Sequence, residues 1–98
     1  MAIGLLCEIP GGTQQQYDAI MRELNLGGKL YTGQLYHLAG PMDNGWCVVD
    51  VWESRDAFDR FFNDRLQRAM HNAHLPEPKL TFIPIHNMLT ERAQQMGR

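Results

Sequence analysis

Along this chain, stretches in which apolar residues run together or recur at every second position give way to stretches in which they recur at every third or fourth. This change of period divides the chain into six elements. Ala2 to Glu8 is a short apolar run, and Pro10-Gly11-Gly12 ends it by interrupting any strand ladder. Thr13-Gln14-Gln15-Gln16 has the Thr-x-x-Gln form of a capping box, and Tyr17, Ile20, Met21 and Leu24 follow at i, i+3, i+4 and i+7. That stripe predicts a helix over residues 14–24, stopped by Gly27-Gly28. Gly33 to Gly40 reads as a second strand. Pro41 to Gly45 is dense in turn formers and short enough to close a hairpin with a third strand starting at Trp46.

In the third strand Val48, Val49 and Val51 supply a β-branched run, while Trp46, Asp50 and Trp52 share one parity and point to one face of a sheet. Ser54 can cap a second helix, with Asp56 favourably placed against its dipole. Phe58, Phe61, Phe62, Leu66, Ala69 and Met70 fall at helical intervals, and Asp59, Arg60, Asp64 and Arg68 occupy the opposite side. This helix ends before Pro76-Glu77-Pro78. Lys79 to Asn87 is expected as a fourth strand, and Pro84, which has no N–H to donate, places it at a sheet edge or a bulge. Residues 1–89 therefore read as one domain. Thr90 to Arg98 reads as a polar tail, either a frayed helix or an arm reaching a partner.

The order βαββαβ with right-handed crossovers predicts a ferredoxin-like α+β fold: one four-stranded antiparallel sheet with both helices on one face. The second face is then left uncovered. A face carrying Leu35, Trp46 and Val48 would be a large apolar patch in water. A second copy of the chain covers it most simply, so a homodimer through the open sheet face is expected, with a cavity between the two sheets for a small-molecule ligand.

Composition narrows the function classes. At 98 residues the chain is large enough for one two-layer core, and 44% hydrophobic with 20% charged residues is ordinary for a globular domain. A net charge of -2 without a run of Lys or Arg argues against nucleic acid or an anionic membrane as partner. The first residues lack the basic and long apolar segments of a signal peptide and no run approaches a membrane span, so a cytoplasmic location is expected. Cys7 and Cys47 fall in different strands without CxxC spacing and read as reduced thiols.

Candidate chemistry collects on one sheet face. If the hairpin closes with Gly40 opposite Gly45, His37 lies across from Val48, with Asp50 on the diagonal, Trp46 on the same face, and Tyr36 turned under the helices. Imidazole titrates near neutrality. One oriented by a carboxylate can take a phenolic or enolic proton, and the resulting anion can reduce dioxygen without a cofactor. His37 as base and Asp50 as its orienter are the candidate catalytic pair of a cofactor-independent monooxygenase or an isomerase; Trp46, Phe82, His86 and Leu35 are expected to line the pocket. The competing reading is a polar pair satisfied within a dimer interface, in a binding or structural module without turnover. His71 and His74 stand at i, i+3 near the end of the second helix but lack a third ligand at suitable spacing; no metal site is expected.

The order of elements, the size and above all Val49-Asp50-Val51-Trp52-Glu53-Ser54-Arg55-Asp56-Ala57-Phe58 resemble the dimeric α/β-barrel superfamily, in particular its antibiotic biosynthesis monooxygenase-like (ABM-like) group. That resemblance implies a homodimer and, in characterised members, cofactor-free oxygenation of polycyclic phenols, haem degradation or related reactions. The group often carries a histidine on the second helix about three turns past the tryptophan. This chain has Phe61 near that point, which argues against haem and leaves no cofactor implied.

Overall fold

A computed structural model describes residues 1–90; the tail expected from Thr90 onward lies, past Thr90 itself, outside the described residues. The elements are β1 (Ile3–Pro10), α1 (Gln14–Leu24), β2 (Gln34–Met42), β3 (Gly45–Trp52), α2 (Arg55–Phe61), a π-helical turn (Phe62–Leu66), α3 (Gln67–Asn72) and β4 (Lys79–Pro84). The sheet is antiparallel throughout, in the order β2-β3-β1-β4. This is the ferredoxin-like α+β arrangement. Pro84 closes β4 and Pro41 lies on β2, the two outer strands, as the edge rule requires, while Pro10 is the last residue of the inner strand β1.

The helix starts form as their sequences dictate. Thr13 accepts from the Gln16 N–H while the Gln16 side chain accepts from the Thr13 N–H, a complete capping box. Ser54 caps α2 through the Ala57 N–H at 3.1 Å. At its C-terminus α1 stops earlier than the glycine pair, at Asn25 in the left-handed region (φ 52°), and the Arg65 guanidinium donates to the Leu24 carbonyl at 2.5 Å. The second helical tract is not a uniform α-helix. One π turn separates α2 from α3, so an extra residue is accommodated between two otherwise regular segments.

Two expectations about the sheet are corrected. The β2–β3 hairpin is tighter than the one read from Gly40 and Gly45: Met42 pairs with Gly45 around a two-residue turn, Asp43-Asn44, with Asn44 at φ 64°. Gly45 has to be a glycine, since a Cβ there would collide with the Ile9 carbonyl oxygen. His37 therefore lies directly opposite Asp50, not Val48. This shift of two residues preserves parity, but the faces are exchanged. Leu5, Ile9, Trp46, Asp50 and Trp52 are buried on the helix side, whereas Tyr36 stands on the uncovered face at 45% exposure. The physical reason is that both parities carry apolar residues, so alternation alone cannot tell the helix-covered face from the open one.

The core sits between the sheet and the helices. Trp52 is fully buried, with Phe61 at 5.2 Å and Phe58 at 5.7 Å between ring centroids, and Leu5, Ile20, Leu24, Ala57 and Ala69 complete the cluster. Burying each large apolar side chain contributes roughly 1.5–3 kcal/mol. The motif around Trp52 thus first joins β3 to α2 and holds both against the sheet.

Candidate functional site

Direct pairing of β2 with β3 places His37 and Asp50 side by side on the helix-covered face. His37 Nδ1 is 2.6 Å from Asp50 Oδ1, and the Trp52 indole N–H donates to Asp50 Oδ2 at 3.1 Å. Asp50, only 6% exposed, therefore has a donor on each carboxylate oxygen, which is what makes a buried carboxylate tolerable. With Nδ1–H given to Asp50, Nε2 of the neutral ring is an acceptor. Tyr17, arriving from α1, fills it: its Oη lies 2.5 Å from His37 Nε2, with the two rings stacked at 5.9 Å and 7°. Tyr17, His37, Asp50 and Trp52 form one continuous hydrogen-bonded chain. Its layout is that of a hydroxyl–imidazole–carboxylate triad with a phenol in the hydroxyl position.

This chain opens on a cavity of about 280 Å³ between the sheet and the helices. Tyr17, His37, Trp46 and Asp50 make its polar end. Leu5, Ile20, Leu24, Phe58, Phe61, Phe62, Leu66 and Met70 supply apolar wall, and the loop residues Gly28, Lys29 and Leu30 also border it. Phe61 from the end of α2 and Phe62 and Leu66 from the π turn all line this one space. Trp46 is 8% exposed and packs on Tyr17 at 5.4 Å, and its Nε1 is the buried side-chain donor without an acceptor among the described residues. Leaving a buried donor unpaired costs roughly 1–3 kcal/mol.

Burial is the main reason that both titratable neighbours on this wall hold their protons tightly. It pushes the Cys7 thiol up to about 11, with the negative charge of Asp50 adding to it and smaller contributions from Cys47 and Glu8. It also raises the Tyr17 phenol, with Asp50 and then Asp18 adding to the effect. Both cysteines are free.

Of the residues proposed from sequence for the pocket, His37, Asp50 and Trp46 come together on the cavity wall. The other three do not. Leu35 lies in the β2 irregularity between Gln34 and Tyr36 and is 46% exposed. Phe82 faces the core beyond the cavity, edge-on to Phe58 at 5.5 Å and beneath the Arg55 guanidinium at 3.8 Å. His86 follows the end of β4 and is exposed. Tyr17 is the site residue that the apolar stripe of α1 concealed. A signal for it existed, because a tyrosine on a buried helix face brings a hydroxyl that needs a partner. Among the described residues no group of three or more His, Cys, Asp or Glu is placed to hold a metal ion.

Fold and site together define a small α+β domain that encloses an acid–base group in an apolar cavity. Solved structures with the same fold include two oxygenases. SnoaB, a cofactor-independent oxygenase from Streptomyces nogalater, superposes with a TM-score of 0.60 at 16% identity, over 92% of this chain and 97% of that one. A monooxygenase from Streptomyces coelicolor, solved with nanaomycin D, gives 0.52 at 23% identity over 92% of each chain. MhuD, solved with two manganese protoporphyrin IX molecules per active site, gives 0.59 at 17% identity over 92% of this chain and 99% of its own. No protein-family model and no curated protein matches the sequence. The likeness is one of fold, shared also with a structure described as a putative antibiotic biosynthesis monooxygenase from Chloroflexus aurantiacus J-10-fl, with a TM-score of 0.58 at 20% identity over 90% of this chain and 97% of that one.

Proposed function

We propose that this protein is a cofactor-independent monooxygenase-type enzyme that takes a proton from a phenol or enol, with His37 as base and Asp50 as the group that holds its tautomer. One observation carries the reading: the His37–Asp50 pair lies on the wall of a largely apolar cavity. The cavity is about 280 Å³, close to twice the ~150 Å³ that admits one benzene ring, so the substrate class is a phenol of about two fused rings. Removing the O–H proton leaves an electron-rich anion in apolar surroundings. That anion passes one electron to dioxygen, the radical pair joins at a ring carbon, the resulting peroxide anion takes back the proton held by His37, and loss of water from the hydroperoxide leaves a quinone. One phenol and one dioxygen give one quinone and one water.

Haem does not fit this site. His37 is the one imidazole on the cavity wall among the described residues, both its nitrogens are engaged, and Phe61 is buried in the core. A homodimer through the open sheet face accompanies the proposal. The cavity, however, lies within one chain, not between two sheets, so catalysis does not depend on that interface for its walls. A second reading, a binding module without turnover, is favoured by Tyr17, which already occupies the lone pair of the proposed base.

Oxygen uptake with 1-naphthol and substituted naphthols separates the two. Turnover by the wild type should fall by 10²–10⁴ in His37→Ala, the usual worth of a positioned general base. Naphthol binding without oxygen uptake favours the module, and equal uptake by His37→Ala removes His37 from the reaction.

A further inference from the structure

We infer that Tyr17 is a catalytic residue, the group through which the substrate proton reaches His37. The inference rests on the phenol-deprotonation reading above and changes which atom meets the substrate. Nδ1 of His37 is committed to Asp50 at 2.6 Å and Nε2 to the Tyr17 hydroxyl at 2.5 Å, so the imidazole offers no lone pair to the cavity. A proton arriving from a bound phenol must displace Tyr17 or pass through its oxygen.

Displacement is opposed by the way Tyr17 is held. Its ring stacks on His37, packs on Trp46 at 5.4 Å, and belongs to a helix anchored by the buried Ile20 and Leu24. Passage is chemically simple. A phenol oxygen donating its hydrogen still has acceptor capacity, so Tyr17 Oη can receive a substrate O–H while donating to His37. The substrate O–H bond then breaks as a new Tyr17 O–H bond forms, and the original Tyr17 proton moves to Nε2. The products are a substrate anion, a neutral Tyr17 and an imidazolium whose Nδ1–H remains on the Asp50 carboxylate. No electron changes hands in this step. Burial and the Asp50 charge disfavour a free tyrosinate, consistent with both transfers occurring together.

Tyr17→Phe tests this, because it deletes the oxygen and keeps the ring. In wild type, a series of naphthols of graded acidity should bind and show the naphtholate absorption at a pH below that needed in water. In Tyr17→Phe the dissociation constant should change less than threefold, while the bound anion fraction falls at least tenfold, towards that of His37→Ala. A second readout needs no ligand: diethyl pyrocarbonate attacks a free imidazole lone pair, so His37 should be modified at least tenfold faster in Tyr17→Phe than in wild type. Anion formation equal to or above wild type in Tyr17→Phe would overturn the relay, since His37 would then meet the ligand directly. Loss of binding with normal melting would make Tyr17 a wall residue only. If wild type and His37→Ala ionise naphthols equally, the base assignment itself fails, and the relay with it.

Discussion

Cys7 and Tyr17 share one wall of the cavity, and both are held protonated there. For Cys7 the consequence is chemical inertness. The thiolate is the nucleophile, and a thiol raised from the usual 9.0 to about 11 supplies little of it at neutral pH. In a Cys47→Ser background, the alkylation rate of Cys7 by iodoacetamide should climb between pH 9 and 11 and not level off near pH 9. The same shift has a sign for stability. The folded thiol keeps its proton to higher pH than the unfolded one, so its contribution is complete below about pH 9 and is lost as pH rises towards 11. Trp46 differs in kind, being a donor without an acceptor among the described residues. A ligand oxygen reaching Nε1 would offset that cost.

At the scale of elements, the π turn at Phe62–Leu66 contributes Phe62 and Leu66 to the cavity wall. A π turn is one residue too many for an α-helix, and it persists where a site needs the altered direction of its side chains. Deleting the exposed Asn63 should restore a continuous α-helix from Arg55 to Asn72 with both flanks in their present orientation. The expected outcome is a melting temperature equal to or above wild type, with naphthol affinity at least tenfold weaker as Phe62 and Leu66 repack. Unchanged affinity would show that the π turn does not form the site. The periodicity of apolar residues over 58–70 predicted a helix here correctly, but an extra residue within a turn leaves the stripe almost intact and is invisible to spacing.

At the scale of the whole molecule, one sheet face is left over. Tyr36, Leu38 and Ile83 are 45%, 45% and 55% exposed, and Leu6, Val49 and Val51 share the same side of the sheet. A continuous apolar surface of this kind marks an interface. The proposed homodimer would cover it with an equal, self-complementary face across a twofold axis. Light scattering should give a mass of two chains for wild type and one for Leu38→Glu, since a carboxylate on this face would be buried without a partner. A wild type that stays single at tens of micromolar sinks the dimer. No described helix is long and apolar enough to cross a membrane.

The sequence by itself determined the six elements, their order, both N-caps and, through the right-handed crossover rule, the topology, because each depends on local chemistry or on chirality. It also determined that His37, Asp50 and Trp46 share a face, since parity survives a register error of two residues. Only the tertiary structure decided which face that is. Both parities are apolar, and the choice is made by how Phe58, Phe61 and Leu24 pack around Trp52. That choice moved the candidate site from a space between two chains to one within a single chain. It also brought Tyr17 onto His37 across twenty residues of sequence, a contact made by packing α1 on the sheet and carried by no local pattern.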